Sequence, residues 1–146
     1  MPEKLYTITC NRRQLELISQ ACNIISRLQC CQFDHITNVV QPSDFGVENK
    51  DWTRLHHFQD DLLRLKEYFN LSLNSSYGIF SEKVQDSART LWDIHAVLRN
   101  KMAYEDNPGV TPQNRWEKGK IFVNFDEPMH SDKENQLVKV EEIKNV

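Results

Sequence analysis

Apolar positions along the chain follow two periods, and each predicts a different element. Residues 4–9 alternate, with Tyr6 and Ile8 on one side and Leu5, Thr7 and Thr9 on the other, the pattern of a short strand. At residue 11 the period changes. Asn11 followed by Gln14 reads as a capping box that opens a helix. At about 100° per residue, Leu15, Leu17, Ile18, Ala21, Cys22, Ile24, Ile25 and Leu28 fill one half of that helix. Glu16, Ser19, Gln20, Asn23, Ser26 and Arg27 fill the other half. So wide an apolar stripe touches more than one neighbour, which places this helix at the centre of the fold.

The period falters at residues 29–32 and resumes with Phe33, Ile36, Val39 and Val40, which predicts a kink or tight turn and then a second short helix. Residues 41–50, with Pro42 and Gly46, read as a loop. Asp51 is placed to cap a third helix that runs to about Asn70, with Leu55, Phe58, Leu62, Leu65 and Phe69 in one sector. Asp60 and Arg64 form an (i, i+4) pair on its outer side, and His56 and His57 also face solvent. After a loop over residues 71–80, Ser81 is the expected cap of a fourth helix ending near Tyr104 and stopped by Asn107-Pro108-Gly109. A basic, irregular stretch with Trp116, Lys118 and Lys120 leads into a strand-like run, Ile121-Phe122-Val123-Asn124-Phe125. Residues 137–143 alternate more weakly.

These elements predict an α+β fold in the order β-α-α-α-α-β-β, with about four helices packed on a small antiparallel sheet of two or three strands. The chain reads as one domain over residues 1–146, with 126–146 as an edge strand or flexible tail. Sheets that small lean on their helices, and an unpaired edge invites a second subunit. A homodimer or higher oligomer is therefore expected.

Composition narrows the class. With 146 residues, 39% hydrophobic and 27% charged, the chain has the size and mix of one globular domain. No run reaches the roughly 18 apolar residues of a membrane helix, and no apolar leader follows Met1-Pro2-Glu3-Lys4. The expected location is the cytoplasm. A net charge of −3 argues against general nucleic-acid binding. The cysteines, Cys10, Cys22, Cys30 and Cys31, lack zinc spacing and are expected as reduced, mostly buried thiols. Adjacent His56 and His57 cannot share a helix face, so no metal is implied.

Catalytic signatures are absent too. Four glycines cannot build a Gly-rich phosphate cradle, and no nucleophile elbow, dinucleotide fingerprint or His-Glu-x-x-His occurs. No cofactor is implied. The most unusual feature lies on the fourth helix, where Val84, Ala88, Leu91, Ile94, Leu98 and Met102 form an apolar sector. His95 projects into it, with Trp92 and Arg99 on the flank, so the three make one polar ridge. A buried arginine must be paired, hydrogen-bonded or wet. One reading is structural, with His95 bonded to a backbone carbonyl and Arg99 bridged to Asp93 or Asp126. The other is a pocket mouth in which Arg99 meets an anion and Trp92 stacks on a planar group.

Arg12 and Arg13 sit in the first turn of the first helix, where stability alone favours acidic residues, and are a second candidate anion site. Tyr77-Gly78-Ile79 reads as a tight turn with Gly78 at positive φ, its tyrosine either lining a ligand site or plugging the core.

Several short strings together resemble small bacteriophage and prophage proteins of unknown function. They are Ile25-Ser26-Arg27-Leu28, Gln32-Phe33-Asp34-His35-Ile36, Tyr77-Gly78-Ile79, Asp93-Ile94-His95-Ala96-Val97-Leu98-Arg99 and Val123-Asn124-Phe125-Asp126-Glu127-Pro128. Where those proteins often carry a small residue or glycine between the first two helices, this chain has Cys30-Cys31. The resemblance implies a non-enzymatic accessory protein that binds a host factor or a small anionic ligand such as a nucleotide, with a role against host defence. Alternatives from other classes are a structural or assembly protein without a ligand, and an enzyme acting on a nucleotide through His95.

Overall fold

The expected sheet does not form. Among the residues described by the computed structural model, 3–48 and 52–144, there is no strand. Three helices carry the architecture: α1 (Arg12–Gln29), α2 (Thr53–Arg64) and α3 (Asp86–Glu105). Short 3-10 helices at Phe33–Asn38, Pro42–Phe45, Leu65–Phe69 and Val123–Phe125 join and flank them.

Helix α1 begins as its capping box dictates. The Gln14 N–H donates to Asn11 Oδ1 at 2.9 Å, and the Asn11 N–H donates to Gln14 Oε1 at 2.9 Å. It ends in a Schellman turn, with the Gln32 N–H donating to the Arg27 carbonyl at 2.9 Å and the Cys31 N–H to the Leu28 carbonyl at 3.0 Å. Cys31 takes the left-handed position with φ 62°, where glycine is the usual residue. Its side chain is buried there.

Helices α1 and α3 run antiparallel, and named bonds mark the register. Arg12 reaches Glu105 and Asp106, Ser19 meets His95, the Ser26 hydroxyl donates to the Ala88 carbonyl at 2.8 Å, and Gln29 donates to Gln85 and Ser87. The seam is made of small residues, Ser19, Cys22 and Ser26 against Ala88 and Ala96, all buried. Small side chains let the helices approach closely, and each serine hydroxyl finds its partner across the seam. The assignment of Ser19 and Ser26 to the solvent half of α1 is therefore corrected. Leu17, Ile18, Ala21 and Ile25 turn outward instead.

The strand expected at residues 4–9 is an exposed arm without regular secondary structure. The one expected at residues 121–125 is a 3-10 turn with Phe125 buried. Side chains from α3 and its flank take the place of a ladder. The Tyr104 hydroxyl and Arg115 Nη1 donate to the Phe125 carbonyl at 2.8 and 2.7 Å. Asn100 Nδ2 donates to the carbonyls of Asn124 and Asp126 at 3.1 and 2.8 Å. Residues 137–143 also lack a ladder.

Four local expectations change as well. Helix α3 starts at Asp86, not beside Ser81, because residues 81–84 turn first and bury Val84 against Cys30 and Ala88. The third predicted helix is α2 followed by a 3-10 turn closed by Asn70 at φ 55°. Its expected cap, Asp51, lies outside the described residues. Arg64 pairs with Asp61 at 3.4 Å and not with Asp60, and Gly78 is not among the positive-φ glycines.

Candidate functional site

The ridge on α3 forms as its spacing predicts, and α1 adds a second arginine to it. His95 is buried at the α1–α3 seam, and its ring centroid lies 5.6 Å from that of Trp92. The Arg99 guanidinium carbon is 5.9 Å from the Trp92 centroid, and that of Arg27 is 5.4 Å away. Both separations suit cation–π contact. Trp92 is thus shared by two cations of the protein itself.

Neither arginine has a carboxylate within ion-pair distance among the described residues. Asp93, one expected partner of Arg99, is buried and taken up by residues 131–132. It accepts from the Ser131 hydroxyl, from the Ser131 N–H at 2.9 Å and from the Asp132 N–H at 2.8 Å. Asp126, the other expected partner, pairs with Arg115. It acts on Arg99 only through space, opposing a downward pull on the guanidinium that burial and Arg27 exert. Arg99 Nε is buried without an acceptor among the described residues. The internal bridge expected for Arg99 is absent.

Neutral groups hold Arg27. Its Nε donates to Asn23 Oδ1 at 2.9 Å, and Nη1 donates to Gln32 Oε1 at 2.7 Å. Nη1 also lies 3.3 Å from His35 Nε2. A guanidinium can only donate, so that nitrogen accepts and His35 is uncharged there. Burial, Arg27 and Lys66 push the His35 pKa down, against the pull of Asp34.

The expected backbone bond of His95 is present. Its Nδ1 lies 3.1 Å from the Ser19 carbonyl and 2.9 Å from Ser19 Oγ. A carbonyl only accepts, so Nδ1 carries the proton of the neutral ring. Burial first, and then the positive charge of Arg99, with Arg27 adding to it, push the pKa of His95 down to about 4 against that bond. The ring is neutral near pH 7. The site therefore holds two uncompensated guanidinium charges beside two neutral imidazoles, and its field favours an anion.

The remaining candidates lie elsewhere. Tyr77 packs on the Cys30–Val84–Ala88 core and donates from its hydroxyl to the Phe69 carbonyl at 3.2 Å. It also lines a cleft of about 340 Å³ with Ile25, Leu28 and Phe69, so it is both plug and lining. Arg12 and Arg13 are engaged by carboxylates. Arg12 reaches Glu16, Glu105 and Asp106 at 3.1, 3.2 and 2.8 Å, and Arg13 reaches Glu16 at 3.4 Å. Arg12 ties the start of α1 to the end of α3.

Arg27 is the residue that sequence reasoning missed. It falls on the polar half of α1, and only the row Ser19, Asn23, Arg27 at four-residue intervals hinted at one functional line. The four cysteines are free thiols, with burial raising the pKa of Cys22, Cys30 and Cys31. Among the described residues no cluster of metal-ligating side chains occurs, and no helix is long and apolar enough to cross a membrane. Comparison with protein-family models, curated proteins and solved structures finds no match.

Proposed function

We propose that the chain binds a small oxyanion, such as the phosphate of a nucleotide, between Arg27 and Arg99. In this reading it is a non-enzymatic phage or prophage accessory protein acting stoichiometrically in the host cell. One observation carries the binding site: two guanidiniums from different helices share Trp92, lack carboxylate partners among the described residues, and leave Arg99 Nε without an acceptor. An oxyanion supplies what that arrangement lacks, because it accepts from both forks and offsets both charges. The phage setting and a role against host defence rest on the resemblance of the short strings alone.

Trp92 already carries two protein cations, so recognition runs through the arginines and the ligand needs no ring stacked on it. The test is thermal shift with inorganic phosphate, a mononucleotide and a cyclic mononucleotide, each titrated to about 10 mM. A ligand that binds only the folded state raises the melting temperature with concentration. The shift is expected to vanish in Arg27→Met and Arg99→Met. No shift with any of the three probes, or a shift untouched by both variants, refutes this function. A ligand-free structural ridge instead predicts that Arg99→Met lowers the melting temperature.

A further inference from the structure

Helix α1 shows part of its apolar half to solvent. Leu17 and Ile25 are each 46% exposed, Ile18 is 38% exposed, and Ala21 between them is also exposed. Directly before α1 runs the N-terminal arm, on which Leu5, Tyr6 and Ile8 are 80–88% exposed. Ile25 and Leu28 of the same stripe also line a cleft of about 340 Å³ whose wall is mixed, with Phe69 and Tyr77 beside Gln29, Lys83 and Gln85. The cleft shares Ile25 with the stripe, and the arm leads directly into α1.

From this placement we infer that two copies of the chain pair through antiparallel α1 helices about a two-fold axis at Ala21, each laying its N-terminal arm into the cleft of the other. One exposed pair of the stripe is placed symmetrically about Ala21. Leu17 and Ile25 each lie four residues from Ala21, so an axis there sets Leu17 against Ile25 of the partner subunit. Ala21 at the crossing point lets the helix backbones approach closely.

Charge fits the same arrangement. On the arc from Gln14 through Leu17, Ile18, Ala21, Ile25 and Leu28 to Gln29 there is no charged residue, so the two-fold axis sets no like charges together. The ends of the stripe differ in sign. Arg13, which also pairs with Glu16, flanks one end, and exposed Glu82, with Asp86 paired to Arg89, stands at the other, where Gln29 bonds to Gln85 and Ser87. Antiparallel pairing brings opposite ends together. Lys83 in the cleft rests over the Tyr77 ring at 5.5 Å without a carboxylate partner among the described residues, and the incoming arm carries Glu3.

Reach decides where the arm goes. Helix α1, at about 1.5 Å per residue, is about 27 Å long. With the axis at Ala21, Asn11 of one copy stands level with Cys31 of the partner subunit, a residue of the cleft wall. The eight residues 3–10, extended at about 3.3 Å each, span roughly 26 Å from there. They pass the cleft with chain to spare. Without the arm, one helix pair is a small contact beside the roughly 800 Å² per partner of stable complexes, so arm and stripe are both required.

Sedimentation equilibrium on the full chain tests the inference. The mass at about 100 µM is expected to be twice the 17.2 kDa of one chain. Ala21→Arg, at an exposed position and leaving the fold intact by circular dichroism, is expected to give monomer. Deletion of residues 1–10 is expected to weaken the dimer at least about tenfold, which is about 1.4 kcal/mol. Ala21→Cys is expected to form a disulfide-linked dimer across the axis under mild oxidation. A monomer at about 100 µM, or a dimer indifferent to Ala21→Arg or to loss of the arm, overturns the inference.

Discussion

His95 Nδ1 lies 3.1 Å from the backbone carbonyl of Ser19 and 2.9 Å from its hydroxyl, so the ring is fixed across the α1–α3 seam as a neutral donor. Its pKa falls from 6.5 to about 4 through burial and the nearby arginines. The unfolded chain therefore takes up a proton before the folded one does. Stability is complete above the unfolded pKa and falls as pH drops from about 6.5 toward 4, by at most about 3 kcal/mol. Melting temperature against pH is expected to show this decline, and His95→Gln, which keeps a donor but does not titrate, is expected to flatten it.

The same pair gives binding a proton signature. An anion held by Arg27 and Arg99 offsets the charges that depress His95, so its pKa rises on binding and protons are taken up between about pH 4 and 6.5. NMR titration of the His95 ring with and without inorganic phosphate is the measurement. An unchanged ring pKa in the presence of saturating phosphate would place the anion elsewhere.

Arg99 makes a prediction whose sign separates function from support. It is partly buried, has a like charge in Arg27 and has no ion pair among the described residues. Replacing it by methionine keeps the aliphatic stem on Trp92 and removes the desolvated charge. Without ligand, Arg99→Met is expected to leave stability unchanged or raise it by up to about 1 kcal/mol. Chemical denaturation reads the difference directly.

Asp93 holds the C-terminal segment onto α3. Its carboxylate is buried and accepts from the N–H groups of Ser131 and Asp132 and from the Ser131 hydroxyl. Next to it, Asp132 accepts from the Thr90 hydroxyl at 2.6 Å and from Asn135 Nδ2 at 2.8 Å, bonds that lower its pKa to about 2. Asp93→Ala leaves the N–H groups of Ser131 and Asp132 unpaired, the Ser131 hydroxyl keeping the Arg89 carbonyl, and is expected to cost about 3 kcal/mol. Limited proteolysis is expected to cut near residues 130–136 in that variant and not in the parent. The Asp132 contribution is present above its ordinary carboxylate pKa and is lost as pH falls from about 4 toward 2.

Much of the helical framework was legible in the sequence. Asn11 and Gln14 announced α1 because capping is local chemistry, and the Trp92–His95–Arg99 spacing announced the ridge because helix geometry fixes which residues adjoin. The sheet was misread because alternation over residues 4–9 and 121–125 describes side chains, whereas a strand also needs a partner for its backbone. At Phe125 that partner is Tyr104 and Arg115, distant side chains no local pattern reveals. The packed face of α1 was misread for a related reason. Hydrophobicity ranked Leu17 and Ile25 as inner and Ser19 and Ser26 as outer, but α3 chose the narrow seam where small side chains allow close approach. The role of Arg27 followed from that choice and was hidden with it.

Ser26 tests the seam most directly. It is the most deeply buried side chain in α1, and its hydroxyl donates to the Ala88 carbonyl at 2.8 Å. Ala88 is itself fully buried, so the helices have no slack at this point. Ser26→Ala keeps the volume close to the original and loses one hydrogen bond, an expected cost of about 1 kcal/mol. Ser26→Leu adds a branched side chain where none fits and is expected to cost about 3 kcal/mol or more by forcing α1 and α3 apart. Separation of the helices also moves Arg27 away from Trp92, so this variant is expected to lose anion binding although it touches no ligand. Denaturation and phosphate titration on Ser26→Ala and Ser26→Leu check both effects, and a Ser26→Leu protein as stable as the parent would mean that the seam is looser than the contacts across it require.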